Sequence, residues 1–152
     1  RALIRKRQPD LLLGGWANPA QHAETQVGYL LAPNATADFF LTQIVSHHTP
    51  GPVARFLEEA RRQKLTLPGL FGVFYYRSAN PRTLAALGQF LEVPAEALTR
   101  EFESGASAEE VCARTIRALG DLGARHFYVS NLPLGRAAQT LSAIMDRVTV
   151  RT

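Results

Sequence analysis

The 152-residue chain contains one cysteine, one methionine and one tryptophan. A lone Cys112 excludes an intramolecular disulfide and removes the argument for a small, stapled, secreted scaffold, so a cytoplasmic location is the default expectation. No apolar run approaches the roughly twenty residues that span a bilayer, and the basic opening is not followed by a signal-peptide core. No membrane association is expected. Basic residues exceed acidic ones by four, but Arg1, Arg5, Lys6 and Arg7 account for that excess. With no basic stripe interleaved with aromatics, nucleic acid is not an expected partner. A phosphate-binding glycine fingerprint is also missing, as are a Ser-His-Asp or Cys-His arrangement and any repeat of solenoid length.

What the chain does have is an alternation of apolar runs and amphipathic stretches. Residues 1–8 resemble the last turn of a helix, with cations at its negative end. Pro9-Asp10 turns the chain into a short buried strand over 11–16, and a helix follows over 20–31 with Ala23, Val27, Leu30 and Leu31 inward. Residues 39–45 form a strand apolar on both faces, with polar groups at its carboxyl end. The next helix opens near Pro52 and carries Val53, Phe56, Leu57 and Ala60 at helical spacing. An extended region over 65–76 ends in Phe74-Tyr75-Tyr76.

Asn80-Pro81 starts a helix with Leu84, Leu87, Phe90 and Leu91 on its apolar side, and Pro94 starts another. Ser107 to Glu110 has capping-box spacing before a helix bearing Val111, Thr115, Leu119 and Leu122, which Gly123 ends. A fourth strand over 125–131 precedes a helix over 134–148 with Leu141, Ile144, Met145 and Val148 inward. The fold class is therefore α/β, with parallel strands and right-handed crossovers. Two architectures fit, an open four-stranded sheet and half of an eight-stranded β/α barrel. An opening that reads as the end of a helix favours the half-barrel.

Gly15-Trp16, Phe40-Leu41-Thr42-Gln43, Leu67-Pro68-Gly69-Leu70 and His126-Phe127-Tyr128-Val129-Ser130-Asn131 occur in the order and spacing of a known family. Over nearly its whole length the chain resembles the carboxyl-terminal half of methylenetetrahydrofolate reductase. The resemblance implies a parallel β/α barrel of TIM type, with residues 1–152 supplying its fifth to eighth strands and 1–8 the end of a preceding helix. It implies reduction of 5,10-methylenetetrahydrofolate to the 5-methyl form with NADH or NADPH, in folate one-carbon metabolism and methionine supply. The implied partners are the folate substrate and the amino-terminal half of the barrel; a homo-oligomer is compatible with this. The family's general acid lies on an earlier strand, so no catalytic residue is expected in this chain, which alone would be inactive. A non-catalytic folate-binding or regulatory relative is the alternative.

The resemblance also assigns site residues. Gln43 matches a glutamine that hydrogen-bonds the pterin, for which an amide supplies both donors and an acceptor. Trp16 replaces a tyrosine at the barrel mouth and keeps a flat face for stacking. Tyr76 falls where the family stacks an aromatic on folate or nicotinamide, with Phe74 or Tyr75 as alternatives after a shift of register. Tyr128 and Asn131 carry over from the last strand motif, although period-two alternation leaves open which side Tyr128 faces. Arg136 is the candidate for charge toward the folate's glutamate tail. His22 corresponds to a histidine near the flavin's phosphate-bearing chain.

The family's FAD is expected, but residues 23–32 carry no cation. A diphosphate there would lack its usual Arg or Lys partners, and direct transfer from nicotinamide to folate is the alternative. His47 and His48 are adjacent on what reads as extended chain, point apart, and are expected to be surface groups; no metal site is expected. Cys112 reads as a small core residue.

Overall fold

The computed structural model describes residues 2–150. Four strands, β1 (Gly14–Ala17), β2 (Phe39–Ile44), β3 (Gly69–Phe74) and β4 (His126–Ser130), form one parallel sheet in the order β1-β2-β3-β4. Around them lie α1 (Ala2–Arg7), α2 (Ala23–Leu31), α3 (Pro50–Arg62), α4 (Pro81–Leu87), α5 (Ala95–Glu103), α6 (Ala108–Leu122) and α7 (Ala137–Thr149). Strands adjacent in sequence are adjacent in the sheet. This order, with helices between parallel strands, is compatible with part of a barrel.

One face of the sheet carries the main core. Ala17, Phe40, Phe71 and Val73 meet Val27 and Leu30 of α2, Val53 and Phe56 of α3, Ile116 and Leu119 of α6, and Ile144 of α7. Phe40, Phe56 and Phe71 meet edge-on, with centroids 5.9 to 6.5 Å apart, a geometry worth about 0.5–1.5 kcal/mol per pair beyond area burial. The helices touching this core lie side by side, α2 against α3, α3 against α6, and α6 against α7. The opposite face bears Trp16, Leu41, Leu70, Gly72 and Tyr128, none of them in that core.

Local chemistry sets the element ends. The Asn80 side chain accepts from the backbone N–H groups of Arg82 and Thr83, and Pro81 takes the first helical position. Ser107 accepts from the Glu110 N–H at 3.2 Å. The reciprocal half of that capping box is absent, because Glu110 pairs with Arg114 and Arg117. Gly123, at φ 109°, closes α6 in the left-handed conformation.

Several apolar positions differ from the sequence expectation. Leu11 and Leu12 are exposed and β1 begins only at Gly14, because Asp38 and Arg5 fasten this segment outside the sheet. α4 ends at Leu87, which leaves Phe90 79% exposed beyond it. Leu141 and Met145 are exposed on α7, whose substantial helix contact is with α6 alone among the described residues. Leu31 is likewise exposed at the end of α2.

Candidate functional site at the carboxyl edge of the sheet

In parallel α/β folds the loops leaving the strand carboxyl ends build the ligand crevice. Here those ends carry Ala17, Gln43-Ile44, Phe74 to Arg77 and Ser130-Asn131. Between β3 and α6 the chain inserts α4 and α5, which with Phe74 and Tyr76 form a second apolar cluster around Leu84, Leu98 and Val111. A cavity of about 300 Å³ opens beside this cluster, lined by Phe74, Tyr76, Arg77, Thr83 and Asn131 among others. The structure thus brings Tyr76 and Asn131 together.

Each lining residue has a distinct reason for its place. Tyr76 is buried, stacks obliquely on Phe74 with centroids 4.8 Å apart, and has its hydroxyl pKa pushed up to about 12 by burial. Asn131 sits at φ 69°, a left-handed conformation that asparagine tolerates. Its Nδ2 donates to the Tyr75 carbonyl at 3.0 Å, and its own carbonyl accepts from Arg77 at 3.2 Å. Arg77 was not singled out by sequence. Its signal was a cation directly after a strand-end aromatic group, and it places positive charge at the cavity. Arg136 lies in a short turn over Leu134–Arg136 and is exposed.

Tyr75 is removed from the ring-stacking candidates. It faces the helices, its hydroxyl donates to Glu109 of α6 at 2.6 Å, and burial with that carboxylate raises its pKa to about 12. Tyr128 has the opposite facing to Phe127 and Val129, which pack on the core. It therefore lies on the sheet face opposite the main core, which settles the ambiguity of alternation. Its ring passes over Gly72 of β3, and its hydroxyl donates to the Thr42 carbonyl of β2 at 2.6 Å. The side chain spans three strands.

A β-bulge explains the Thr42-Gln43 pair. The β2–β3 register shifts between Leu41 and Ile44. In that gap the Thr42 hydroxyl accepts from the Gly72 N–H at 3.0 Å and donates to the Gln43 carbonyl at 2.8 Å. Bulges of this kind re-aim side chains near functional edges. The Gln43 amide oxygen turns back to accept from the Ile44 N–H at 2.9 Å, so it braces its own strand end. Thr42, fully buried, is the hub that sequence reasoning passed over.

Trp16 is 50% exposed on the face opposite the main core, beside Leu41, with its ring outside the core. His22 is exposed at the start of α2, with Nδ1 3.3 Å from the Thr25 hydroxyl. α2 itself holds Glu24 and no basic residue. Cys112 is buried, and burial pushes its thiol up to about 12, leaving an inert core group.

The expectation that His47 and His48 diverge is corrected. Ser46 accepts from the His48 N–H, and the resulting turn stacks the two rings with centroids 3.9 Å apart. Both Nε2 atoms approach Glu101 of α5, at 3.2 Å from Oε1 and 3.1 Å from Oε2 respectively. Arg114 contacts Oε1 at 2.8 Å, and His47 Nδ1 lies 2.7 Å from the Thr115 hydroxyl. Burial alone would raise the Glu101 pKa, but the Arg114 hydrogen bond and the imidazoles outweigh it, and the carboxyl lies below its ordinary value. Burial and His48 lower the His47 pKa. These side chains are partly buried rather than surface groups.

No protein-family model matches the chain, and no curated protein matches it either. Among the described residues, no helix is long and apolar enough to cross a membrane.

Proposed function

We propose that this chain is one half of a TIM-type β/α-barrel oxidoreductase of the methylenetetrahydrofolate reductase type, with the sheet face opposite its main core lining the barrel interior. The observation that carries the reading is the cavity at the strand carboxyl ends. It joins Tyr76 and Asn131, which come from different strand motifs, and adds Arg77. An aromatic face, an amide-fixed turn and a cation suit a flat heteroaromatic ring carrying a carboxylate tail.

Under this reading Tyr76 and Phe74 supply the apolar wall for the pterin or nicotinamide ring. Tyr128 holds three strands in register beneath it, and Arg77 faces the glutamate tail. Gln43 reaches the pterin through its amide nitrogen, its oxygen being held by Ile44. The nicotinamide, when bound, would supply a hydride to the methylene carbon, which becomes the 5-methyl group as its bond to N10 breaks and N10 takes a proton from the general acid. The general acid lies outside these residues.

The α2 segment does not fit a flavin diphosphate, since it presents Glu24 and no cation. The reading is therefore of direct hydride transfer from nicotinamide to folate. Equilibrium titration with 5-methyltetrahydrofolate tests the site: Tyr76→Ala weakens binding about fivefold, as expected for loss of a stacked ring worth roughly 1 kcal/mol. Equal affinity of the folded variant and the parent refutes the assignment of this cavity.

A further inference from the structure

We propose that His47, His48 and Glu101 form a binding site for one divalent transition-metal cation, with Zn²⁺ the ion whose preferences fit best. This inference stands independently of the reductase reading. The donor atoms of the three residues all lie within 4.8 Å of one another. Two imidazole nitrogens and one carboxylate oxygen are a borderline donor set that Zn²⁺ accepts, with a fourth position left to water or a substrate oxygen.

The spacing is that of ligands sharing an ion. Tetrahedral zinc with bonds of about 2.0–2.1 Å sets neighbouring donors about 3.3 Å apart; His48 Nε2 and Glu101 Oε2 are 3.1 Å apart, while His47 Nε2 lies 3.2 Å from the other carboxylate oxygen, Oε1, within hydrogen-bond reach. The His48 Nε2 and Glu101 Oε2 atoms decide between this and an ordinary ion pair. They are close, yet their geometry does not make a hydrogen bond, and both are buried without any other partner. Buried polar atoms left so are costly, and a cation between them would satisfy both.

The surrounding groups are those that orient metal ligands. The Thr115 hydroxyl lies 3.4 Å from the Val111 carbonyl, and in the Nδ1–H tautomer that ligation through Nε2 requires, His47 donates to the Thr115 oxygen across 2.7 Å. That tautomer turns the Nε2 lone pair toward Glu101. Arg114 holds Oε1 at 2.8 Å and leaves Oε2 to the ion. Hydrogen-bonded imidazole and carboxylate ligands are the usual outer-shell arrangement. The three ligands come from the β2–α3 turn and from α5, so the ion would tie the inserted helix to the sheet edge.

Chelator-treated protein titrated with ZnCl₂ by calorimetry tests the site. One equivalent binds the wild-type chain, Glu101→Gln and His48→Gln each abolish stoichiometric binding, and Thr115→Val weakens it about tenfold. Circular dichroism confirms that each variant is folded. If the ligand variants do not fold, Co²⁺ on the wild type decides: intense visible absorption of a four-coordinate ion supports the site, and a weak six-coordinate spectrum overturns it. Absence of stoichiometric Zn²⁺ uptake by the wild type also overturns the inference, as does uptake unchanged in folded Glu101→Gln.

Discussion

Gly72 is where side-chain placement and backbone are most tightly joined. A methyl group there would overlap the Tyr128 hydroxyl and ring, and moving that ring breaks its bond to the Thr42 carbonyl. Gly72→Ala is therefore expected to destabilise the chain by about 1–3 kcal/mol, as overpacking does. In a Tyr128→Ala background the cost shrinks, a coupling that a double-mutant cycle read by urea unfolding detects. Tyr75 and Tyr76 make a separate prediction. Both hydroxyls are held at about 12 against an ordinary value of 10.0. Below the ordinary value both are protonated in folded and unfolded chain alike. Between about 10 and 12 only the unfolded chain loses these protons, so stability falls as pH rises through that window. Unfolding midpoints measured across it should fall less for Tyr76→Phe than for the parent.

The elements show why some features were legible in sequence and others were not. Asn80-Pro81 and Ser107 announce helix starts through local chemistry, and the structure places α4 and α6 directly after them. Ser107→Ala is expected to cost about 1 kcal/mol, measured as a lowered denaturation midpoint with an unchanged slope. The β2 and β4 runs were legible because an apolar series marks a buried strand. Leu11 and Leu12 follow the same pattern and mislead, since their place depends on the distant Arg5–Asp38 pair, whereas Leu13 is buried as its place in the run implies. Phe90 misled through periodicity that continues past the real end of α4. The convergence of His47 and His48 was not legible. It depends on a serine turn and on Glu101, brought from another helix, which no local pattern joins to them.

On the scale of the whole molecule, the sheet has one face packed under helices and another that presents Trp16, Leu41, Leu70 and the Tyr128 strut. Parallel strands in sequence order with helices between them are compatible with part of a β/α barrel. The candidate residues divide accordingly. Tyr76 and Asn131 share a cavity, Tyr128 and Thr42 hold the wall, Gln43 braces its strand end, and Trp16 and His22 stand apart from that cavity. The sequence motifs marked the strand ends; tertiary packing decided which side chains face one another. The central claim is folate reduction at this edge, and its most direct measurement is NADH oxidation by the polypeptide containing these residues together with the complementary barrel half. The account predicts oxidation that depends on 5,10-methylenetetrahydrofolate and yields the 5-methyl product without added flavin, whereas a folded, complete barrel showing neither turnover nor folate binding would contradict it.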